Sequence, residues 1–174
     1  MAAYSPTSSY ADASLIGIVA SADNTLISIE YSSTAAITSP TSITLNKYEG
    51  ILIQSTSGDF TGSLITSNSS ISVFSGNECA EVPITKQDPA HLVEQLMPTS
   101  SLGTLFYTVP IPSRNGYDIF RAIANENQTS IYINGVLKST INAGAFYEFQ
   151  ISISFVITVN DDLKREINSR LMSY

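Results

Sequence analysis

The feature that most constrains this chain is a succession of short segments in which apolar and polar residues alternate. A period of two places the apolar side chains on one face of an extended chain, which is the pattern of a half-buried β-strand. Asn134-Gly135 is a strong hairpin signal, because both residues tolerate the positive φ of a type I′ turn. About twelve such segments, separated by turn residues, lie at 14–20, 25–31, 41–46, 50–55, 59–66, 70–75, 103–111, 117–124, 129–134, 138–142, 145–150 and 153–159.

So many short strands predict an all-β domain over residues 1–159, and we expect antiparallel sheets packed as a β-sandwich. The alternative is a propeller-like arrangement of four-stranded units, because the segments from 14–20 to 50–55 can be read as one four-stranded meander. Both architectures bury one face of each strand. The alternation alone does not choose between them.

The chain also contains an internal repeat, with copies at about 14–76 and 117–159 and a connection at 76–103. Residues 16–29 align with 120–133, so that Ala20 matches Ala124 and Thr25 matches Thr129. Residues 42–54 align with 139–150 at a different offset. The second copy lacks a recognisable counterpart of residues 59–76. A duplicated hairpin unit indicates scaffold, since catalytic residues seldom need duplication.

Two segments are predicted to be helical. In the first, Asp88 is expected to be the N-cap, Pro89 occupies the first helical position and Pro98 ends the helix. The second is a C-terminal helical tail at 160–174, which differs in composition from the rest of the chain. Helical periodicity places His91, Glu94 and Gln95 on one face of the first helix and Leu92, Val93, Leu96 and Met97 on the other. In the tail, Leu163, Ile167 and Leu171 are four residues apart and are predicted to mediate self-association.

The charge of the chain excludes some partners. A net charge of −7 with only eight Lys and Arg residues cannot neutralise a phosphate backbone, so we expect no nucleic-acid partner. No apolar run reaches the ~18 residues that span a bilayer. Residues 1–14 have neither a basic nor an apolar region, and no signal peptide is expected in them. With 43 Ser and Thr residues and only 13% charged residues, the composition suits an extracellular or cell-surface protein.

Catalysis and metal binding find little support in the residues. Cys79 and His91 are the only cysteine and histidine. A thiol enzyme using this pair is the weakest alternative, because no cysteine-protease signature surrounds Cys79. A structural zinc site needs four ligands, and the pair supplies two. We therefore predict no catalytic residue, no metal and no cofactor. Asn68 and Asn127 lie in N-x-S/T sequons and are candidate glycosylation sites.

Three stretches together resemble the IgG-Fc-binding-protein N-terminal domain family: SVFSGNECAEVP (72–83), HLVEQLMPTSSLGTLFYTVPIPSR (91–114) and DIFRAIANENQTSIYINGVLKSTINAGAFYEFQ (118–150). The resemblance implies a β-rich, extracellular, mucus- or surface-associated adhesion module without enzymatic activity. Members usually carry a second cysteine just before the histidine. In this chain Pro89 and Ala90 stand there, so by the resemblance the disulfide partner of Cys79 is missing.

The leading functional prediction is a surface or secreted module that binds a protein or glycoprotein partner, with His91, Glu94 and Gln95 as the candidate contact face. The same polar face can instead belong to a structural lid over the 76–103 connection. The alternative function is a structural or self-assembling matrix or shell protein, in which the C-terminal helix mediates homo-oligomerisation.

Overall fold

This computed structural model describes residues 13–32, 39–55, 57–82, 90–112, 116–159 and the backbone of 169–173. Two compact units are present, residues 1–96 and 97–174, and the division falls inside the predicted 76–103 connection. The strands are β1 (Ser14–Ala20), β2 (Thr25–Glu30), β3 (Ser42–Leu45), β4 (Gly50–Gln54), β5 (Leu64–Ser67), β6 (Ile71–Ala80), β7 (Ala90–Gln95), β8 (Leu105–Thr108), β9 (Asp118–Ala124), β10 (Thr129–Ile133), β11 (Val136–Ile141), β12 (Phe146–Ile151), β13 (Phe155–Val159) and β14 (Ser169–Ser173). A single 3₁₀ turn spans Thr99–Ser101.

The first unit is a sandwich of two antiparallel sheets, with strand orders β4-β1-β6-β7 and β3-β2-β5. Alternate residues of β1 and β2 point inward, because both strands are strictly alternating in sequence. The inward residues of both sheets form one core with Phe60, which is fully buried; its other members are Ile16, Ile18, Ala20, Ile27, Ile29, Leu45 and Ile53. The predicted all-β sandwich is therefore confirmed in this unit.

The second unit is built in the same way, from sheets ordered β12-β9-β14 and β11-β10-β13-β8. Its core again draws on both sheets and consists of Phe120, Ala122, Ile131, Ile133, Phe149, Ile151 and Ile157. The order β4-β1-β6 corresponds to β12-β9-β14, and β3-β2-β5 corresponds to β11-β10-β13. Strands β13 and β14 thus take the places of β5 and β6, for which the sequence alignment found no counterpart.

A network of hydrogen bonds, which we call the turn clamp, joins the turn after β1 to the turn after β3. The Asn46 side-chain oxygen accepts the N–H of Asn24 (3.3 Å), and the Asp23 carboxylate accepts the N–H of Lys47 (3.0 Å). The hydroxyl of Thr25 donates back to the carbonyl of Ala22 (2.7 Å). Asn24 has a φ of 52°, a left-handed conformation that asparagine tolerates better than most residues.

The second unit has the same clamp at the aligned positions. The Asn142 oxygen accepts the N–H of Gln128 (3.1 Å), and the Asn127 oxygen accepts the N–H of Ala143 (3.2 Å). Thr129 donates to the carbonyl of Glu126 (2.8 Å). Each clamp therefore ties together two turns at which the chain crosses from one sheet to the other, and it closes one end of its sandwich.

The two predicted helices are wrong where the structure describes them. Residues 90–95 form strand β7, which pairs with β6, and residues 169–173 form strand β14, which pairs with β9. Cap residues and an amphipathic period favour a helix only locally, whereas an open sheet edge supplies a complete row of backbone partners to an extended chain. Leu163 and Ile167 lie outside the described residues. The separation of 160–174 as a tail stays a prediction.

The propeller-like alternative is also wrong. Strands β1 and β4 pair in one sheet of the first unit, whereas β2 and β3 pair in the other. A meander would have paired consecutive strands within one sheet. The chain instead crosses between the two sheets after β1 and again after β3, at the two turns that the clamp joins.

We expect the turn clamp to contribute measurably to stability in both units. Asn46→Ala and Asn142→Ala remove the accepting oxygen, and each should lower the free energy of unfolding by about 1 kcal/mol. Asn46→Asp keeps an acceptor at the same place and should retain most of the stability. Denaturant unfolding followed by circular dichroism measures the difference.

Asn125→Ala is the matched control, because Asn125 is an exposed turn residue outside the clamp and its replacement should change stability by less than about 0.5 kcal/mol. If Asn46→Asp were as unstable as Asn46→Ala, the accepting oxygen would not be the stabilising group.

Candidate binding surface

Strand β7 reaches β6 at a position where only glycine fits. A Cβ built on Gly76 would lie 2.5 Å from the backbone oxygen of Leu92, closer than real Cβ atoms approach such an oxygen. Gly76 is paired with Val93 in the register of the two strands. The glycine of the FSGN stretch therefore allows β7 to join the sheet, and a side chain there would push the strand away.

The register of β6 and β7 shifts immediately after this glycine, between Asn77 and Ala80. Asn77 is fully buried, and its side-chain oxygen accepts the backbone N–H of Cys79 (2.9 Å). The asparagine thus satisfies a backbone donor inside a β-bulge. Cys79 is half-buried in this bulge. The GNEC stretch (76–79) therefore forms a bulge, which interrupts the regular hydrogen-bond ladder between β6 and β7.

The strand separates residues that the helical prediction had grouped together. His91, Val93 and Gln95 alternate with Leu92 and Glu94, so they lie on opposite faces of the sheet. Glu94 is paired with Ser75, which is buried on the inner side of β6, whereas Gln95 is paired with Phe74. His91 and Gln95 therefore share a face with Val93, and Glu94 does not belong to it.

The face that carries His91 and Gln95 is the side of the four-stranded sheet turned away from the core, here called the outer face. It carries exposed apolar side chains: Leu52 on edge strand β4 is 69% exposed, Val93 on edge strand β7 is 64% exposed and Val19 on β1 is 37% exposed. Phe74 lies beside Gly17 in the sheet. The outer face comprises Leu15, Gly17 and Val19 of β1, Gly50, Leu52 and Gln54 of β4, Ser72, Phe74 and Gly76 of β6, and His91, Val93 and Gln95 of β7.

Polar groups border these apolar side chains at one end of the sheet. The Gln54 amide donates to the Glu78 carboxylate (3.2 Å), and a ring nitrogen of His91 lies 3.4 Å from the backbone oxygen of Glu78. Both contacts hold exposed side chains in place. Apolar side chains with a polar border are a usual composition of a protein–protein contact surface.

The corresponding face of the second unit has a different chemistry. By the alignment, Arg121 takes the place of Gly17 and Glu148 takes the place of Leu52. These two residues form an ion pair (2.7 Å), and the Arg121 guanidinium lies over the Phe146 ring at 4.2 Å. Arg121 is only 6% exposed. Two units with the same strand order thus present different outer faces, and the first unit has the exposed apolar one.

The structure also locates the predicted glycosylation sites and one of the predicted self-association residues. Asn68 and Asn127 are exposed, and each uses its side-chain oxygen as an acceptor, from Leu26 (2.9 Å) and Ala143 (3.2 Å) respectively. Leu171 belongs to strand β14 and is paired with Ala122. Within the described residues no group of three or more His, Cys, Asp or Glu side chains could hold a metal ion.

Sequence reasoning found His91 and Gln95 but missed the residues that surround them. The sequence pattern puts Leu52 and Phe74 in strands without saying which face they occupy, and it puts Val93 on the opposite face of a helix from His91 and Gln95. The missing information was the topology, since alternation shows that a strand has two faces but does not say which strands are neighbours. The one sequence feature that could have indicated these neighbours is the pair of glycines, Gly17 and Gly76, which lie on either side of Phe74 in the sheet.

Comparison with known proteins gives one family. The family model described as IgGFc binding protein matches residues 1–164. The IgGFc-binding protein of Homo sapiens is 33% identical to the chain over 115 residues, which are 65% of this chain and 2% of that protein. The chain therefore spans only a small part of the human relative's length. No solved structure matches the chain significantly. Among the described residues, no helix is long and apolar enough to cross a membrane.

We expect Gly76→Ala to displace β7. The added methyl group would meet the Leu92 oxygen, so the strand must move, with a loss of about 1–3 kcal/mol in the free energy of unfolding. Hydrogen–deuterium exchange should be faster at the amides of Leu92, Glu94 and Leu96, which face β6. Gly103→Ala is the matched control, because a Cβ at Gly103 meets nothing within 4 Å. Unchanged exchange in Gly76→Ala would show that the close approach does not hold β7 in place.

Proposed function

Because the chain belongs to the IgGFc-binding protein family, we propose that it is a non-enzymatic module that binds a protein or glycoprotein partner outside the cell. The outer face of the first unit is the proposed contact surface. The observation that carries this proposal is the exposure of Leu52 and Val93 on the outer face, one on each edge strand of a sheet whose inner face packs on the core.

The energetics favour a partner over solvent at this face. Exposed apolar residues that form one contiguous patch are unusual on a monomeric protein, whereas scattered ones are common. Val19, Leu52 and Val93 lie on one surface with Phe74 between them, so a partner would remove several apolar side chains from water at once. Burial of each would contribute roughly 25 cal/mol per Å² of apolar area.

The polar border would provide specificity. His91 and Gln95 project from the same face as Val93, and each can donate or accept a hydrogen bond. Because the border lacks Lys and Arg, it suits a neutral or weakly polar protein surface better than an anionic one. Glu94 is left out of the proposed contact, because it lies on the other side of β7.

The human relative suggests the first partner to test. Its name states that it binds the Fc portion of IgG, and this chain resembles part of that protein. An Fc fragment is a glycoprotein, so it belongs to the proposed class of partners. We propose the Fc fragment as the probe and the broader class of glycoproteins as the partner class.

The proposed extracellular location is supported by the composition and by the sequons. Asn68 and Asn127 are exposed, and their hydrogen bonds use the side-chain oxygen, whereas a glycan is attached at the nitrogen. Glycosylation at either position is therefore compatible with the described structure. The names of the family and of the human relative denote binding proteins, which supports a function without catalysis.

The test measures binding of the chain to immobilised human IgG Fc by surface plasmon resonance. Leu52→Glu and Val93→Glu each place a charge on the outer face, one on each edge strand, and each should weaken binding at least tenfold. Leu26→Glu is the control, because Leu26 is 50% exposed on the other sheet of the same unit.

Equal binding by all three variants would exclude the outer face as the contact surface. Absence of binding by the unaltered chain would exclude Fc as its partner. Enzymatically deglycosylated Fc, measured in parallel, separates recognition of the protein from recognition of its glycan.

A further inference from the structure

Strand β7 has a backbone edge that the described residues leave open. Within the described part of the chain β7 pairs only with β6. The N–H of Leu96 donates to Val73 (2.7 Å), which fixes the alternation of the ladder. Residues 92, 94 and 96 turn their backbone groups toward β6, so the N–H and C=O groups of His91, Val93 and Gln95 point away from the sheet.

This edge has few of the features that usually prevent strands from pairing with other chains. Natural edge strands carry lysine, proline, bulges or inward-pointing charges. β7 contains neither lysine nor proline, and the bulge next to it lies in β6. Its single charged residue, Glu94, lies on the inner side of the strand and is exposed. The central residue, Val93, is 64% exposed, so its backbone groups are within reach of another chain. An extended strand is therefore the ligand that the chemistry of the edge fits.

The sequence of β7 is complementary to itself in the antiparallel orientation. With a two-fold axis at Val93, the Val93 side chains of two copies face each other, His91 faces Gln95, and Leu92 faces Glu94. The Val93 pair is apolar. The His91–Gln95 pair brings together two hydrogen-bonding side chains, and the Leu92–Glu94 pair places leucine beside the aliphatic part of glutamate. No like charges meet, and every outward backbone group of residues 91, 93 and 95 finds a partner.

We propose that two copies of this chain associate through their β7 strands, antiparallel and centred on Val93, so that two four-stranded sheets become one eight-stranded sheet. A closed two-fold pairing uses the same surface on both copies and ends the assembly at a dimer. It also places both outer faces on the same side, with the two Val93 side chains at the centre. The inference concerns the backbone edge and stands independently of the partner proposed above.

Salt should strengthen this association. Each copy has a formal net charge of −7, so two copies repel each other over a distance that added salt shortens. The contacts at the proposed interface are hydrogen bonds and apolar pairs, which salt screens little. The dissociation constant should therefore fall as the salt concentration rises from roughly 0.02 to 0.3 M. Over this range the Debye length becomes shorter than the diameter of a small protein.

The decisive experiment introduces charges of either sign at Val93, on the proposed two-fold axis. Val93→Lys and Val93→Glu each place two like charges face to face, and sedimentation velocity of the full chain should show each variant as a monomer where the unaltered chain is a dimer. An equimolar mixture of the two variants places Lys opposite Glu and should restore the dimer. Leu26→Lys, at an exposed position in β2, should dimerise like the unaltered chain.

A second variant tests the backbone itself. Val93→Pro removes an N–H that points away from β6, so the β6–β7 ladder keeps its hydrogen bonds while the outer edge loses a donor. Circular dichroism verifies that the fold is retained, and Val93→Thr keeps both the donor and the β-branched shape as a control. We expect Val93→Pro to be monomeric and Val93→Thr to be dimeric.

Three results would overturn the proposal. The first is a monomeric unaltered chain at about 0.1 mM in ~0.3 M salt, a condition that screens its net charge. The second is a dimer formed by the Lys variant or the Glu variant alone. The third is a mixture of the two variants that stays monomeric, because Val93 would then not face Val93 of a second copy.

Discussion

Both sandwiches depend on the turn clamp, in which one asparagine side chain holds together two chain crossings. Each unit sends the chain from one sheet to the other after its first and third strands, and these turns expose backbone donors that no strand satisfies. Asn46 and Asn142 accept such a donor, and the neighbouring Asp23 and Asn127 accept another. With the ends fixed in this way, alternation in the strands is enough to bring their apolar faces together in one core.

The clamp uses one backbone conformation with two different residues at one equivalent place. In the first unit Tyr48 adopts a φ of 68°, and in the second unit Gly144 adopts a φ of 78°. Both residues donate their N–H to the alanine that ends the first strand, Ala20 or Ala124, at 2.8 and 2.9 Å. A left-handed conformation is unfavourable for tyrosine, so the clamp hydrogen bonds outweigh local strain in the first unit. Tertiary hydrogen bonding, more than the preference of the residue, determines this turn.

Much of the fold could be predicted from the sequence, because its strands obey a local rule. Alternating segments located twelve of the strands, and the family resemblance is confirmed by the family match over residues 1–164. The helix over 88–97 failed for a physical reason: the same residues satisfy a helical period and a strand period, and the choice depends on the edge of β6. The residues of β6 that pair with β7 lie between 10 (Ala80–Ala90) and 21 (Phe74–Gln95) positions earlier in the chain, and their pairing depends on the absence of a side chain at Gly76.

The candidate surface could be predicted only in part, because it is defined by which strands are neighbours. His91 and Gln95 were identified by their polarity, but Leu52 and Phe74 join them only through the order β4-β1-β6-β7. The comparison of the two units adds what a single unit cannot give. At equivalent positions one unit has Gly17 and Leu52, and the other has Arg121 and Glu148 in an ion pair. The clamp and the core use similar residues in both units, so they account for the shared scaffold. The difference between the outer faces has no role in that scaffold, and it is there that a function specific to the first unit is to be sought.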